Sequence, residues 1–473
     1  MNFVRGNKMN TNEFKYLEND SAMIQAAVDK AAETGEVVVI PAYNERTNCN
    51  KWIIEKEIRL HTGSSICLQG CHLIQAEEGY HNIFTNSNFG TEKAYTKAGT
   101  QYDIHIYGVG NALLDGGNPV SDLTEATSLK NGMPHITQNS IFNFINVERI
   151  RIENVRIKNQ RYWAFVFHYC THGRISNIDF YAPNTFINQD GIDLRTGCSD
   201  FVIENISGCT GDDTVALTCL RSIYDEYMES SFDTSINSII IRNIHARTNY
   251  SLVRLLNHRG KKLYNILIDG IMEDIQRAPS KEKLWKDADR RKKHLRNGAT
   301  VRIGENWYYG DGPKAQLGDT YNVTVRNVIS RGRMAIRAAR TLSQSVIEDI
   351  HMYDNGGCAV YLAEGEFEDM VVRDIMYPRN VEAYECDDNR CERMANNDYF
   401  PVDPEREICA VYFKEVNASN VIVENVMAGE KLTSVFGGIG ENDVKICTKN
   451  IIRKNQNIPV LSGKGIIIES VSE

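Results

Sequence analysis

Long apolar runs are missing from this 473-residue sequence. No stretch reaches the ~18–20 apolar residues that cross a bilayer as a helix, which excludes a transmembrane helix. The first eight residues, Met1 to Lys8, also lack the apolar core of a secretory signal. These two absences predict a cytoplasmic protein, or a secreted one if a leader has been removed.

An excess of positive charge is missing as well, because the net charge is −9. This balance predicts that neither nucleic acid nor an anionic membrane surface is a partner. It also makes a highly anionic polymer a less natural substrate, unless a local basic groove overrides the mean charge. The oligomeric state is left open by the sequence.

A disulfide framework is absent too. The twelve cysteines are scattered through predicted strands, as at Cys170, Cys198 and Cys219, which in a long chain without a signal indicates reduced core thiols. Cys386 and Cys391 flank a short polar loop that would suit a metal or a disulfide. Because no second pair stands nearby, we interpret it as an ordinary loop.

What the sequence does contain is one repeated pattern, in which alternating apolar residues are followed by Asn or Asp and then by Ile or Val. Four of the seven gaps between its polar positions are 22 to 28 residues long, the gaps of 38 and 51 residues fit one or two coils with an inserted loop, and the gap before Asn327 is 84 residues. The repeat carries Asn154, Asn177, Asn205, Asn243, Asn327, Asp349, Asp374 and Asn425. We expect these residues at bends, where Asn tolerates left-handed backbone geometry and stacks as an amide ladder.

A sequence repeat of between twenty and thirty residues that consists of short strands is typical of a solenoid. No helical stretches separate the strands, so the pattern disfavours a leucine-rich horseshoe or a βαβ fold and favours an all-β parallel β-helix. A solenoid lengthens by adding coils, so residues 1–473 are expected to form a single domain. Two stretches, 277–298 and 385–405, interrupt the ladder and are predicted to be inserted loops. The first of them is basic and is either a solvated helical excursion or a lip over a substrate groove.

A capping helix is predicted over residues 20–34, with Asp20 or Ser21 as N-cap and Gly35 at its end. Such a helix would cover the open end of the first coil. The strands expected after it are Val37–Pro41 and those near Trp52–Leu60, Ser65–Ile74 and Asp103–Tyr107.

Three acids carry the strongest chemical signal. Asp190 lies 22 residues before Asp212, which Asp213 follows directly, and 22 residues is one coil of the local repeat. On adjacent coils these carboxylates would stand side by side, and their repulsion would raise the pKa of at least one, giving an acid and a base at one pH. Glycoside hydrolysis needs such a set. A calcium site and simple capping of the bends are the alternatives.

The motifs around these acids resemble those of glycoside hydrolase family 28, the polygalacturonase group of right-handed β-helix enzymes. Asn188-Gln189-Asp190 and Gly211-Asp212-Asp213 are similar to the family hallmarks, and the Trp163 strand and the turn at Gly108–Gly110 also resemble family segments. The resemblance implies a right-handed β-helix. It also implies a hydrolysis that inverts the anomeric configuration and uses no metal and no cofactor. It implies Asp212 as general acid, Asp190 and Asp213 as the groups that hold and deprotonate water, and Asn188 as a substrate-binding residue.

Two positions depart from the family pattern. Tyr250 stands where the family has a histidine, with His258 as a possible substitute, and the family Arg-Ile-Lys becomes Arg302-Ile303-Gly304. In the family that arginine and lysine help to hold a galacturonate carboxylate, so losing the lysine weakens the clamp. Glu305 and Trp307 are further candidates for sugar binding. The sequence therefore predicts a glycosidase of a plant-type, pectin-related oligosaccharide or polysaccharide that is not plain polygalacturonate.

Two other functions stay open. One is a β-helix polysaccharide lyase in which the aspartates bind calcium, and the other is a non-catalytic carbohydrate-binding β-helix. The inserted loops would close one end of a cleft, which favours exo-action on short oligosaccharides.

Overall fold

The computed structural model describes residues 7–77, 79–117, 139–182, 188–248, 250–274, 299–304, 313–330, 334–352, 358–377, 409–430, 432–441 and 444–471. Within these ranges, no helix is long and apolar enough to cross a membrane. The predicted loops 277–298 and 385–405 lie outside the described residues. The chain divides into two compact units, residues 1–211 with 222–234 and residues 212–221 with 235–473. The expectation of a single domain stays a prediction.

Among its described residues, the first unit consists of parallel strands, one α-helix, α1 (Asp20–Thr34), and short 3-10 turns at Thr11–Phe14, Glu92–Tyr95 and Lys97–Gly99. Its strands are β1 (Lys8–Asn10), β2 (Val37–Pro41), β3 (Trp52–Ile54), β4 (Ile58–Leu60), β5 (Ser65–Gln69), β6 (His72–Gln75), β7 (Phe84–Asn86), β8 (Gln101–Val109), β9 (Leu113–Asp115), β10 (Phe142–Ile145), β11 (Val147–Lys158), β12 (Phe165–His168), β13 (Arg174–Tyr181), β14 (Ile192–Arg195) and β15 (Ser199–Cys209).

Each later coil of this unit contributes a short strand followed by a longer one. The short strands β10, β12 and β14 pair in parallel, and the long strands β11, β13 and β15 do the same beside them. Alternate side chains of a strand face opposite sides, so one set enters the coil. Phe142 packs against Phe165 with 4.6 Å between the ring centroids, and both rings are fully buried. This is the interior of a parallel β-helix.

The strands expected near Trp52–Leu60 and Ser65–Ile74 are each divided in two by a bend. β3 ends at Ile54 before β4 begins at Ile58, and Gly70, at a φ of 64°, separates β5 from β6. A coil must turn its corners, and the alternation of apolar residues continues through a corner, so the sequence pattern could not show the break.

Helix α1 has the predicted bounds, but its N-cap is Asn19 and not Asp20 or Ser21. The Asn19 side chain accepts a hydrogen bond from the Ala22 N–H at 2.8 Å. Asp20 is instead fully buried and binds the Ile53 N–H at 2.7 Å and the Arg46 guanidinium at 2.8 Å. Asp20 therefore attaches the cap helix to the first coil, while Gly35 ends the helix at a φ of 73° as predicted.

The repeated Asn and Asp residues occupy bends, as predicted. All eight positions have left-handed backbone, with φ between 55° and 60°. In the first unit the Asn177 side-chain N–H₂ donates to Asn154 Oδ1 at 2.8 Å, and Asn205 donates to Asn177 Oδ1 at 2.9 Å. These bonds form an amide ladder that runs from coil to coil.

We expect Asn177→Ala to lower the free energy of unfolding by about 1–3 kcal/mol, because alanine is strained in left-handed backbone and breaks both amide bonds of the ladder. Asn177→Gly is the matched control, since it breaks the same bonds but tolerates the φ of 57°. Urea unfolding of both variants measures the difference. If the alanine variant is as stable as the glycine variant, backbone geometry is not the reason for asparagine at this bend.

The second unit repeats the pattern without a helix among its described residues. Its strands are β16 (Val215–Cys219), β17 (Ile236–Arg247), β18 (Val253–Asn257), β19 (Leu263–Glu273), β20 (Val301–Ile303), β21 (Thr320–Ser330), β22 (Met334–Met352), β23 (Cys358–Met376), β24 (Val411–Lys414), β25 (Asn417–Ala428), β26 (Phe436–Ile439), β27 (Val444–Arg453), β28 (Leu461–Gly463) and β29 (Ile466–Val471). Strands β16, β18, β20 and β22 pair in parallel in that order, and β17, β19, β21 and β22 form the adjoining ladder.

Candidate active site

The first unit holds the Asn188–Asp190 turn in a rigid setting. Asn188 has left-handed backbone with a φ of 61°. The side chains of the buried Gln160 and Gln189 each donate to the other's backbone carbonyl, at 3.2 and 2.7 Å. These reciprocal bonds attach the turn to Gln160 on the preceding coil.

Asp190 itself is buried, with 5% of its surface exposed. Its carbonyl accepts from the Ala164 N–H at 3.1 Å and from the Gln160 amide at 3.3 Å. Trp163 is half-buried; its ring stacks on that of Tyr162, and the Arg195 guanidinium lies over it, 4.7 Å from the ring centroid. The backbone that carries the carboxylate is therefore held by the preceding coil.

The second unit holds Asp212 and Asp213 immediately before β16. Asp212 Oδ1 accepts a hydrogen bond from the Asp213 N–H at 2.9 Å, so the two residues share one tight turn. The Thr248 hydroxyl donates to the Asp212 carbonyl, and the Ser251 N–H donates to Asp213 Oδ1 at 3.0 Å. A single turn on the next coil thus fixes both acids.

The electrostatic setting of Asp213 combines burial with positive charge. Burial raises the pKa of the Asp213 carboxyl above its usual range, while Arg254, Arg302 and the Ser251 amide act against that rise. Arg254 approaches closely, with Nη1 3.6 Å from Asp213 Oδ2, and both side chains are almost fully buried. The two arginines are what favours the ionised carboxylate in a site that otherwise favours the protonated one.

The structure places the other predicted residues as follows. Tyr250 is half-buried in the turn that fixes the acids, and its N–H donates to the Thr248 hydroxyl at 3.2 Å. Arg302 is buried on β20, directly beside Arg254 on β18.

His258 lies four residues beyond Arg254 along the chain, about 13 Å at strand spacing. It is therefore not beside the acids. Glu305 and Trp307 lie outside the described residues.

Three residues with a part in this site were missed by sequence reasoning. Gln160 fixes the Asp190 turn, and Thr248 and Ser251 fix the aspartate pair. Their positions one coil before or after the acids are a signal, but polar residues occur at every bend of this chain. Only the pairing of the strands shows which of them reach the acids.

The described residues include buried aspartates whose backbone is held by hydrogen bonds. Burial raises the pKa of one of them, Asp213. Such groups suit proton transfer, because burial and neighbouring charge can keep one carboxyl protonated and another ionised at one pH. The same atoms would suit a hard cation, which prefers carboxylate oxygens.

Comparison with known proteins agrees with this picture. Residues 60–248 match the sequence model of Glycosyl hydrolases family 28. The family 28 exopolygalacturonase of Yersinia enterocolitica superposes with a TM-score of 0.51 at 14% identity, over 99% of this chain and 78% of that one. A tailspike protein of the Escherichia coli bacteriophage HK620, in complex with a hexasaccharide, superposes with a TM-score of 0.50 at 10% identity, over 98% and 80%.

These findings confirm the predicted fold class, an all-β right-handed parallel β-helix with an N-terminal cap helix. They also confirm the resemblance to glycoside hydrolase family 28, since the matched segment contains Asp190, Asp212 and Asp213. The family match supports a glycoside hydrolase with a polysaccharide-type substrate.

Proposed function

We propose that the chain is an inverting glycoside hydrolase that cleaves a pectin-related oligosaccharide and does so without a metal or cofactor. The observation that supports this most directly is the Asp212–Asp213 turn, in which both acids are buried and fixed by Thr248, Ser251 and Arg254. An acid that only caps a bend does not require a cation and a backbone N–H on its carboxylate, as Asp213 has.

In this proposal Asp212 is the general acid that protonates the leaving oxygen, and Asp213 acts with Asp190 to hold and deprotonate the attacking water. Inversion requires the acid and the base to stand ~6.5–9.5 Å apart, so that water fits between the base and the sugar. The paired arginines beside Asp213 suit the role of a base, since they favour its ionised form. Asn188, Tyr250 and Arg302 are proposed to contact substrate. His258, with Glu305 and Trp307, is left as an untested candidate.

The substrate is proposed to be a mixed oligosaccharide and not plain polygalacturonate. Gly304 stands where the family carries a lysine, so the clamp that the family uses for galacturonate is altered. Exo-action is part of the proposal, on the ground that the Yersinia enterocolitica structure of the same fold is that of an exopolygalacturonase.

Hydrolysis of a panel of uronic and neutral oligosaccharides, with products read by mass, tests the proposal. We expect products that gain the mass of water and are released one sugar unit at a time, with rates unchanged by a chelator. Random internal cleavage of a long polymer would contradict exo-action.

Two outcomes of the same panel would replace the proposal. Loss of activity with chelator, together with products that absorb in the ultraviolet, would indicate a calcium-dependent lyase. Sugar binding without any turnover would indicate a binding protein.

A further inference from the structure

Two cysteines of the second unit lie on neighbouring coils. Cys358 begins β23, Cys409 stands just before β24, and the two strands pair in parallel with Val360 opposite Val411. Extending that register toward the start of both strands places Cys358 opposite Cys409. The spacing of paired strands, ~4.8 Å, lies within the range of Cα–Cα distances that a disulfide spans. The two backbones therefore already have the separation that a cross-link needs.

The sulfur atoms of this pair face each other. Both residues are thiols, and their Sγ atoms are 3.5 Å apart. Cys358 is 5% exposed and Cys409 is fully buried, and both pack in one apolar cluster with Met334 and Tyr412. The contact between the thiols is therefore part of the packed interior of the unit.

The two coils are held in place around the pair. The buried Tyr377 hydroxyl donates to the Cys409 carbonyl at 2.7 Å. Three residues further along both strands, Tyr361 stacks on Tyr412 with 5.3 Å between the ring centroids and 12° between the ring planes. Because both coils are fixed at these contacts, a bond between the sulfurs requires rotation of the two side chains and no movement of the backbone.

A pair of cysteines in the first unit has a different geometry. Cys170 and Cys198 are fully buried on neighbouring coils, where the Ser199 N–H donates to the Cys170 carbonyl at 3.2 Å. Cys170 Sγ donates to the His168 carbonyl and Cys198 Sγ to the Phe167 carbonyl, each at 3.3 Å. Burial raises the pKa of both thiols, which disfavours the reactive thiolate. Adjacent coils alone therefore do not turn two sulfurs toward each other.

We propose that Cys358 and Cys409 are a redox pair that forms a disulfide between the coils of β23 and β24 in the presence of a low-molecular-weight disulfide such as oxidised glutathione. The bond closes a span of 51 residues, and closing a long span restricts the unfolded chain. The disulfide stabilises the second unit in an oxidising compartment, and the thiols persist in a reducing one. This inference is independent of the proposed hydrolysis.

The reaction consists of two successive thiol–disulfide exchanges. The Cys358 thiolate, the more exposed of the two, attacks one sulfur of oxidised glutathione, forms a mixed disulfide and releases one glutathione thiolate. The Cys409 thiolate then attacks Cys358 Sγ, forms the S–S bond between the coils and releases the second glutathione thiolate. The protons of the two cysteines pass to the two released thiolates, and the glutathione disulfide accepts the two electrons.

The test equilibrates the full chain at several ratios of reduced to oxidised glutathione, starting from both the reduced and the oxidised protein. The remaining thiols are blocked by alkylation, and peptide mass mapping locates the disulfides. We expect a link between Cys358 and Cys409 that dithiothreitol removes. We also expect the oxidised chain to unfold at a urea concentration higher by about 1 M, from the usual stabilisation by a disulfide and the usual urea slope.

Cys409→Ala and Cys198→Ala are matched variants, because each removes one fully buried thiol from a pair on neighbouring coils. The shift of the urea midpoint between the reduced and the oxidised chain should disappear in Cys409→Ala and persist in Cys198→Ala. Each variant is compared with itself in two redox states, so the cost of the substitution does not enter the shift. If Cys409→Ala fails to fold, the peptide map of the wild-type chain decides the question.

Three results would overturn the proposal. In the first, both cysteines are still alkylated at the highest proportion of oxidised glutathione. In the second, either of them is linked to another cysteine, such as Cys386 or Cys391. In the third, the link forms between Cys358 and Cys409 but the urea midpoint does not move.

Discussion

Replacing Asp212 with asparagine is expected to lower kcat for hydrolysis by about 10²- to 10⁴-fold, the usual contribution of a general acid. The amide cannot protonate the leaving oxygen. It keeps an Oδ1 that can accept the Asp213 N–H, which Asp212 binds at 2.9 Å, so the turn itself should stay intact. Binding of substrate should therefore change little, and KM and kcat separate the two effects.

A comparison of substrates with different leaving groups tests this prediction more specifically. An activated phenolate leaves without protonation, so Asp212→Asn should lose much less activity on an aryl glycoside than on an oligosaccharide. Asp213→Asn should lose activity on both, because water must still be deprotonated. Asp269→Asn is the control, since Asp269 binds Arg326 on the surface of the same unit. A variant at Asp212 that keeps a tenth or more of wild-type activity on oligosaccharides would exclude it as the acid.

Replacing Arg254 with glutamine is expected to move the acidic limb of the pH profile of kcat/KM to higher pH. Burial raises the pKa of Asp213, and Arg254 is the first of the groups that oppose the rise. Without this cation the pKa of Asp213 rises further, so a higher pH is needed to ionise a base. The acidic limb reports an apparent pKa that the interacting carboxylates share. Loss of the Arg254 charge raises this apparent pKa whichever carboxylate holds the proton.

The same variant should be less stable by up to about 3–5 kcal/mol, because it leaves a buried carboxylate without its nearest cation. A carboxyl whose pKa is higher in the folded than in the unfolded chain binds its proton more tightly when folded. The stability of the variant therefore rises as pH falls through that pKa, and the loss relative to wild type is largest at neutral pH. Denaturant unfolding between acidic and neutral pH measures this difference.

Arg254→Lys is the matched control for both effects, since it keeps the charge near Asp213. An acidic limb that stays in place, or moves to lower pH, in Arg254→Gln would show that Asp213 is not the base. A loss of stability that does not depend on pH would assign Arg254 a packing role.

The bends could be predicted from the sequence because they depend on local information. Asn177 or Asp349 takes left-handed backbone from its own chemistry and its neighbours, so the repeat is visible in the sequence. The 22-residue spacing of Asp190 and Asp212 is visible there as well, and it is the basis of the active-site prediction.

What could not be predicted depends on the pairing of distant strands. Arg254 and Arg302 are paired across 48 residues, and only the register on β18 and β20 shows that they are neighbours. Arg337 carries no motif of its own, and the pairing of β20 with β22 places it beside Arg302. The same limit applies to His258, which directly follows β18 and stays a candidate substitute for the missing histidine.

The most direct test of the central claim is the anomeric configuration of the first product, followed by proton NMR in the first minutes of hydrolysis of the best substrate in the panel. A single direct displacement by water predicts that the new reducing end appears with the opposite anomeric configuration to the bond that was cut. A product that first appears with the original configuration would indicate a covalent intermediate on a carboxylate. That result would contradict the roles assigned to Asp190, Asp212 and Asp213.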